Sequence, residues 1–121
     1  MDRTILRIEL FRKRRNQFGF VRCIGCGFLV NPQKAKLDLH EVLVTKGDVM
    51  KCGDVVKDMI NDPRNCAFIE QKCHRTNREQ QVSALVEFEG KESVLAFLDE
   101  LVLAGVDPRV LTKHYNLVKG A

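Results

Sequence analysis

The chain has 121 residues, 45% of them hydrophobic, with seven Phe, no Trp and a formal net charge of +4. This suits one ordinary globular domain with a modest core, and no apolar run is long enough to span a bilayer. The charge is uneven: residues 1–22 carry seven Arg or Lys against two acids, whereas residues 82–121 carry four against six, a layout suited to a polyanion contact at one end.

No apolar segment followed by small residues opens the chain, so the expected compartment is the cytoplasm, where thiols stay reduced. Five cysteines, two of them in a CxxC, then favour metal ligation over a disulfide framework.

Residues 3–17 predict a helix, although a strand with Leu6, Ile8 and Leu10 on one face fits part of the run. The cations Arg12, Lys13, Arg14 and Arg15 follow, either as a solvated helix end or as a phosphate-contacting patch. Phe20-Val21-Arg22 leads extended into Cys23-Ile24-Gly25-Cys26-Gly27, which has the composition of a zinc knuckle. A redox CxxC wants a helix directly after it, and Gly27 and Pro32 argue against one.

Lys36 to Thr45 predicts a strand whose alternation turns His40 and Glu41 to opposite faces. A turn at Lys46-Gly47-Asp48, a short helix over Asp54 to Ile60 and a loop at Asn61-Asp62-Pro63-Arg64 come next. Cys66 to Ile69 predicts a second strand, a helix is expected from near Cys73 through Gln81, and Val82 to Phe88 reads as extended. Lys91 to Ala104 has a Val94, Leu95, Leu98, Leu101 and Val102 stripe and predicts a helix that Gly105 stops. Asp107-Pro108 caps and starts a last helix, Arg109 to about Leu117.

A CxxC, then strand, loop, strand and a helix opened by Cys73-His74, resembles the zinc-containing HNH endonucleases of the ββα-metal superfamily over residues 20–81. The resemblance implies an α+β fold: an HNH-like ββα-metal core with a zinc knuckle and an N-terminal basic helix in residues 1–81. Residues 82–121 would then be a strand–helix–helix extension packed on it. It implies a structural zinc on Cys23, Cys26 and Cys73, with Glu70 where the family has its third cysteine; Cys52 or Cys66 could stand in for it. A second, catalytic ion, Mg²⁺ or another divalent, would sit on His40 and His74 with Asn77 as a further ligand. Asn65 matches the loop Asn that orients the base, and Glu41 stands at the base position where the family has His. Arg12, Lys13, Arg14, Arg15, Arg75 and Arg78 would contact phosphates.

The function so implied is metal-dependent hydrolysis of DNA phosphodiesters by a small stand-alone protein of bacteriophage type, working in the host cytoplasm. Glu41 is a weaker base than imidazole. It supports an alternative: a catalytically decayed HNH scaffold that binds nucleic acid or blocks a host nuclease or defence protein. A zinc-knuckle adaptor with residues 82–121 as partner surface, and a homodimer through the Val94–Val102 stripe, are also open. Plainer readings stand beside these: His40 as a half-buried core histidine, His74 as a ligand of the zinc, Asn65 as a turn residue, and His114 in an ordinary packed helix.

Overall fold

The structure, a computed structural model, describes residues 1–121. It is a mixed α+β fold of five helices and two small sheets. Helix α1 spans Arg3–Arg14, and Asp2 caps it by accepting hydrogen bonds from Thr4 N and Ile5 N. Its buried residues are Leu6 and Leu10, one turn apart, while Ile8 is exposed. That spacing is why the helix prevails over the strand reading.

Strands β1, Val21–Arg22, and β2, Leu29–Val30, pair antiparallel around the CxxC turn. Gly27 takes a left-handed φ of 80° in that turn, where a Cβ would be strained. Strands β3, Leu37–Glu41, and β4, Cys66–Glu70, form the second antiparallel pair, with Leu39 opposite Phe68 and His40 opposite Ala67. The short helix α2, Asp54–Met59, lies in the excursion between them.

Alternation gives this hairpin two faces. Leu37, Leu39, Glu41, Cys66, Phe68 and Glu70 share one, and Asp38, His40, Ala67 and Ile69 share the other. Both outer edges are occupied. On the β3 side, Arg3 and Arg7 of α1 donate to Leu39 O and Leu37 O at 2.6 and 3.1 Å. On the β4 side, Arg14 donates to Cys66 O at 2.6 Å and Ile24 N donates to Phe68 O at 3.0 Å.

Two expectations about the next stretch need correction. No helix begins at Cys73: Gln71–Cys73 is a single 3₁₀ turn, and α3 spans Arg78–Glu89. Its N-cap is Asn77, whose side chain accepts from Glu79 N and Gln80 N. Nor is Val82 to Phe88 extended, since it lies wholly within α3, which also runs through the 81/82 boundary. Gln81, Val82 and Leu85 are its buried residues, a helical repeat that a local run of β-formers conceals. No strand follows Glu70.

Gly90, at φ 89°, turns the chain into α4, Lys91–Leu103. Asp107 caps α5, Pro108–Gly120, which is about a turn longer than expected. Phe97, Leu98 and Leu101 of α4 and Leu111 and Val118 of α5 are fully buried, whereas Leu103 is 87% exposed and outside the core. The N-terminal helix is fastened to the end of α3 by Arg14 and Glu89, 2.9 Å apart, whose side chains are 5% and 2% exposed. No helix is long and apolar enough to cross a membrane.

Candidate metal centre and imidazole pair

The CxxC turn brings Cys23 and Cys26 against the turn after β4, which supplies Glu70 and Cys73. The four donor atoms lie within 4.8 Å of one another. Gly25 makes this seating possible, because a Cβ there would come within 2.5 Å of Cys73 Cβ. Burial alone pushes the Cys23 thiol up. The amides of Glu70, Cys26 and Gly25 directed at its sulfur outweigh that, and its pKa ends below the usual thiol value. Burial, then the neighbouring Cys23, pushes the Cys73 thiol up to about 12. Burial also raises Cys26. Crowded thiols of this kind resist losing three protons unless a cation balances them. Three sulfurs and one carboxylate could therefore hold a metal ion. Cys66 is no part of the cluster: it is buried at the other end of β4, and burial lifts its thiol to about 12.

His74 leaves the same turn beside Cys73 and meets His40 of β3 edge to face, with ring centroids 5.2 Å apart. His74 Nε2 lies 3.1 Å from Asp38 Oδ2, so Asp38, two residues before His40 and on its face, completes a group of three. His40 Nε2 lies 3.1 Å from Gln81 Oε1. The Gln81 amide is oriented by its other end, where Nε2 donates to Thr76 O and to Thr76 Oγ1 at 3.3 and 2.8 Å. The Thr76 hydroxyl donates in turn to Cys73 O at 2.7 Å. With Gln81 Oε1 thus an acceptor, the network assigns the proton of His40 to Nε2 and leaves the lone pair on Nδ1. Burial holds His40 below the ordinary histidine value, against the pull of Gln81. A continuous chain of hydrogen bonds therefore runs from the cysteine cluster to His40.

The remaining predicted residues have other surroundings. Glu41 follows His40 but shares the face of Leu37 and Leu39, and its Oε2 is buried without a hydrogen-bond partner. Asn65 is fully buried and bonds only to backbone: it accepts from Val44 N and donates to Val44 O and Ile60 O at 2.8 to 2.9 Å. It fixes the loop after β3 and does not touch the imidazoles. Asn77, expected as a metal ligand, spends its side-chain oxygen on the α3 cap. Gln81, four residues on, is the α3 side chain that reaches His40.

Of the six expected phosphate contacts, two are engaged inside the fold. Arg14 bonds Cys66 O, Pro63 O and Glu89. Arg78 donates to Leu43 O and lies 3.3 Å from Nδ1 of the buried His114. Lys13 pairs with Glu89 at 2.6 Å. Arg12, Arg15 and Arg75 are exposed, but Arg12 in α1 and Arg15 just after it lie on the hairpin face opposite the imidazoles.

Asp38, Thr76 and Gln81 escape a reading of the sequence by motif. Strand alternation from His40 was a signal for Asp38. Gln81 needed α3 to be read as helix from its Asn77 cap onward. No family model, curated protein or solved structure matches the chain.

Proposed function

We propose that the chain is a small HNH-type endonuclease that hydrolyses DNA phosphodiester bonds with a divalent ion, on a ββα-metal core steadied by a structural zinc. The observation that carries this reading is the meeting of His40 and His74, far apart in the chain, beside Asp38. The hairpin and α3 that surround them follow the order strand, strand, helix.

Cys23, Cys26, Glu70 and Cys73 fit zinc. A tetrahedral ion with Zn–S bonds of about 2.3 Å sets its donors about 3.8 Å apart, a modest contraction of the cluster's 4.8 Å limit. Its ligation ties the knuckle to the His74 turn, and that cross-link contributes folding energy. His74 and Asp38 would hold the catalytic ion, Mg²⁺ or another divalent, which when bound supplies Lewis-acid neutralisation of charge on the scissile phosphate.

The base on this reading is His40 itself, not Glu41. Its Nδ1 carries a lone pair, Gln81 holds the ring in place, and its lowered pKa keeps it neutral at pH 7. Nδ1 takes a proton from the attacking water, and the imidazolium so formed keeps its Nε2–H on Gln81. Arg75, exposed in the His74 turn, is available to a flanking phosphate.

A second reading is favoured by one observation: both imidazoles already have a partner, in Gln81 and Asp38. On that reading the scaffold is inactive and holds nucleic acid or blocks a host nuclease. Nicking of supercoiled plasmid with Mg²⁺, Mn²⁺ or Ni²⁺ separates the two. The enzyme reading expects cleavage by the wild type and none by His74→Ala or His40→Ala. Equal trace cleavage by all three proteins overturns it.

A further inference from the structure

On the hairpin face opposite the imidazoles, a cavity of about 700 Å³ opens between α1, β1 and the β3–β4 pair. Its apolar wall includes Ile8, Phe11 and Phe68, and its cations are Arg7, Arg12, Arg15 and Lys36. No carboxylate lines it. Arg7 is committed to Leu37 O and lies over the Phe68 ring. Lys13 and Arg14, between the other two arginines in sequence, are taken by Glu89. Arg12, Arg15 and Lys36 remain exposed without a carboxylate partner.

Unpaired cations beside exposed hydrocarbon select an anion that also has an apolar or aromatic body. A nucleotide with an unstacked base has both parts. In a duplex the bases are stacked inside and only phosphates would reach the site. Phe18 falls in the sequence between Arg15 and Val21, two residues that line the cavity, and is 71% exposed, with its ring 6.3 Å from that of Phe20. An exposed aromatic ring three residues from Arg15 and from Val21 along the chain offers a stacking surface to a neighbouring nucleotide of a strand, which a free nucleotide cannot use.

We propose that this cavity binds an unpaired nucleotide of a single-stranded nucleic acid, with its base against Ile8 and Phe11 and its phosphates on Arg12, Arg15 and Lys36. The site goes beyond the hydrolytic reading and does not depend on it, since the imidazoles face the other way.

The test is fluorescence anisotropy with a labelled oligothymidylate of about 12 nucleotides, against the duplex of equal length. The wild type should prefer the single strand. The triple variant Arg12→Ala, Arg15→Ala, Lys36→Ala should lose affinity at least about tenfold and flatten the slope of log affinity against log salt by about 2. Phe18→Ala should weaken the strand and leave thymidine monophosphate competition unchanged. His74→Ala should bind the strand as wild type does, so a failure here is distinct from a failure to nick. All the replaced α1-face side chains are exposed, and equal melting temperatures show that the variants fold. The proposal is overturned if duplex binds as well as single strand, if polyglutamate or the monophosphate competes as well as the oligonucleotide, or if the triple variant binds like wild type.

Discussion

The two halves of the molecule share one hydrocarbon core and differ in what is added to it. Behind Asn77, three helices bury hydrocarbon on one another: Leu85 from α3, Val94, Phe97, Leu98 and Leu101 from α4, Leu111 and Val118 from α5, all at or near zero exposure. In front of it α1 and two sheets of two strands each bury hydrocarbon too, Leu6, Leu10, Leu39, Leu43, Phe68 and Ile69 among it, but sheets this small are marginal by themselves. Polar devices are added there to the packing: guanidiniums on strand carbonyls, a fully satisfied Asn65, and a crowded set of thiols. The imidazoles sit in the half that carries these polar devices, which is also where an ion held by the thiol cluster would have most influence on the geometry.

The largest effect expected from this contrast is that of metal removal. Structural zinc sites contribute on the order of 10 kcal/mol at neutral pH. Chelation, or Cys73→Ser, should therefore expose the amides of residues 20–77 to hydrogen exchange while α4 and α5 stay protected. Equal loss of protection in both halves would show one cooperative unit and break the contrast. Next comes the seam between the halves. Glu89→Ala leaves Arg14 buried without its carboxylate, and urea unfolding should show a loss of about 3 to 5 kcal/mol. A loss under about 1 kcal/mol would mean that water reaches the guanidinium.

The smallest effect is in the pH dependence. Burial holds His114 below the ordinary histidine value, and Asp48 pulls it back only in part, opposed by Arg78 and Lys113. The unfolded chain then takes up a proton at higher pH than the folded one, so stability is full above about pH 6.5 and declines as pH falls through that value. Urea midpoints from about pH 7 to about pH 5 should decline less for His114→Gln than for wild type. Parallel curves would remove His114 from the account.

How much of this could be read in the residues varies with how local the cause is. Gly105 and Asp107-Pro108 mark helix ends by their own chemistry, and the structure puts ends there. The family resemblance implies Cys23, Cys26 and Cys73 as one group with Glu70, Cys52 or Cys66 as the fourth member, and Glu70 is the one that converges with them. The start of α3 was not recoverable in this way. Val82-Ser-Ala-Leu-Val86 satisfies a strand pattern as well as a helical one, and the Asn77 cap with packing on α4 and α5 settled it. That misreading hid Gln81, and with it the link between the thiols and His40. Charge runs mislead for a related reason. Nothing local to Arg12–Arg15 tells which cation goes inside, because Glu89 and the carbonyls of Pro63 and Cys66 arrive from distant parts of the chain.

The side chains lying along the margins of β3 and β4 have a further effect on association. An open margin is an invitation to a third strand, from another copy or from a partner's extended peptide. Here Arg3, Arg7, Arg14 and the Ile24 amide already occupy the outward carbonyls. A strand arriving at either margin of this pair would first have to displace those contacts, so the pair is guarded against extension into a wider sheet.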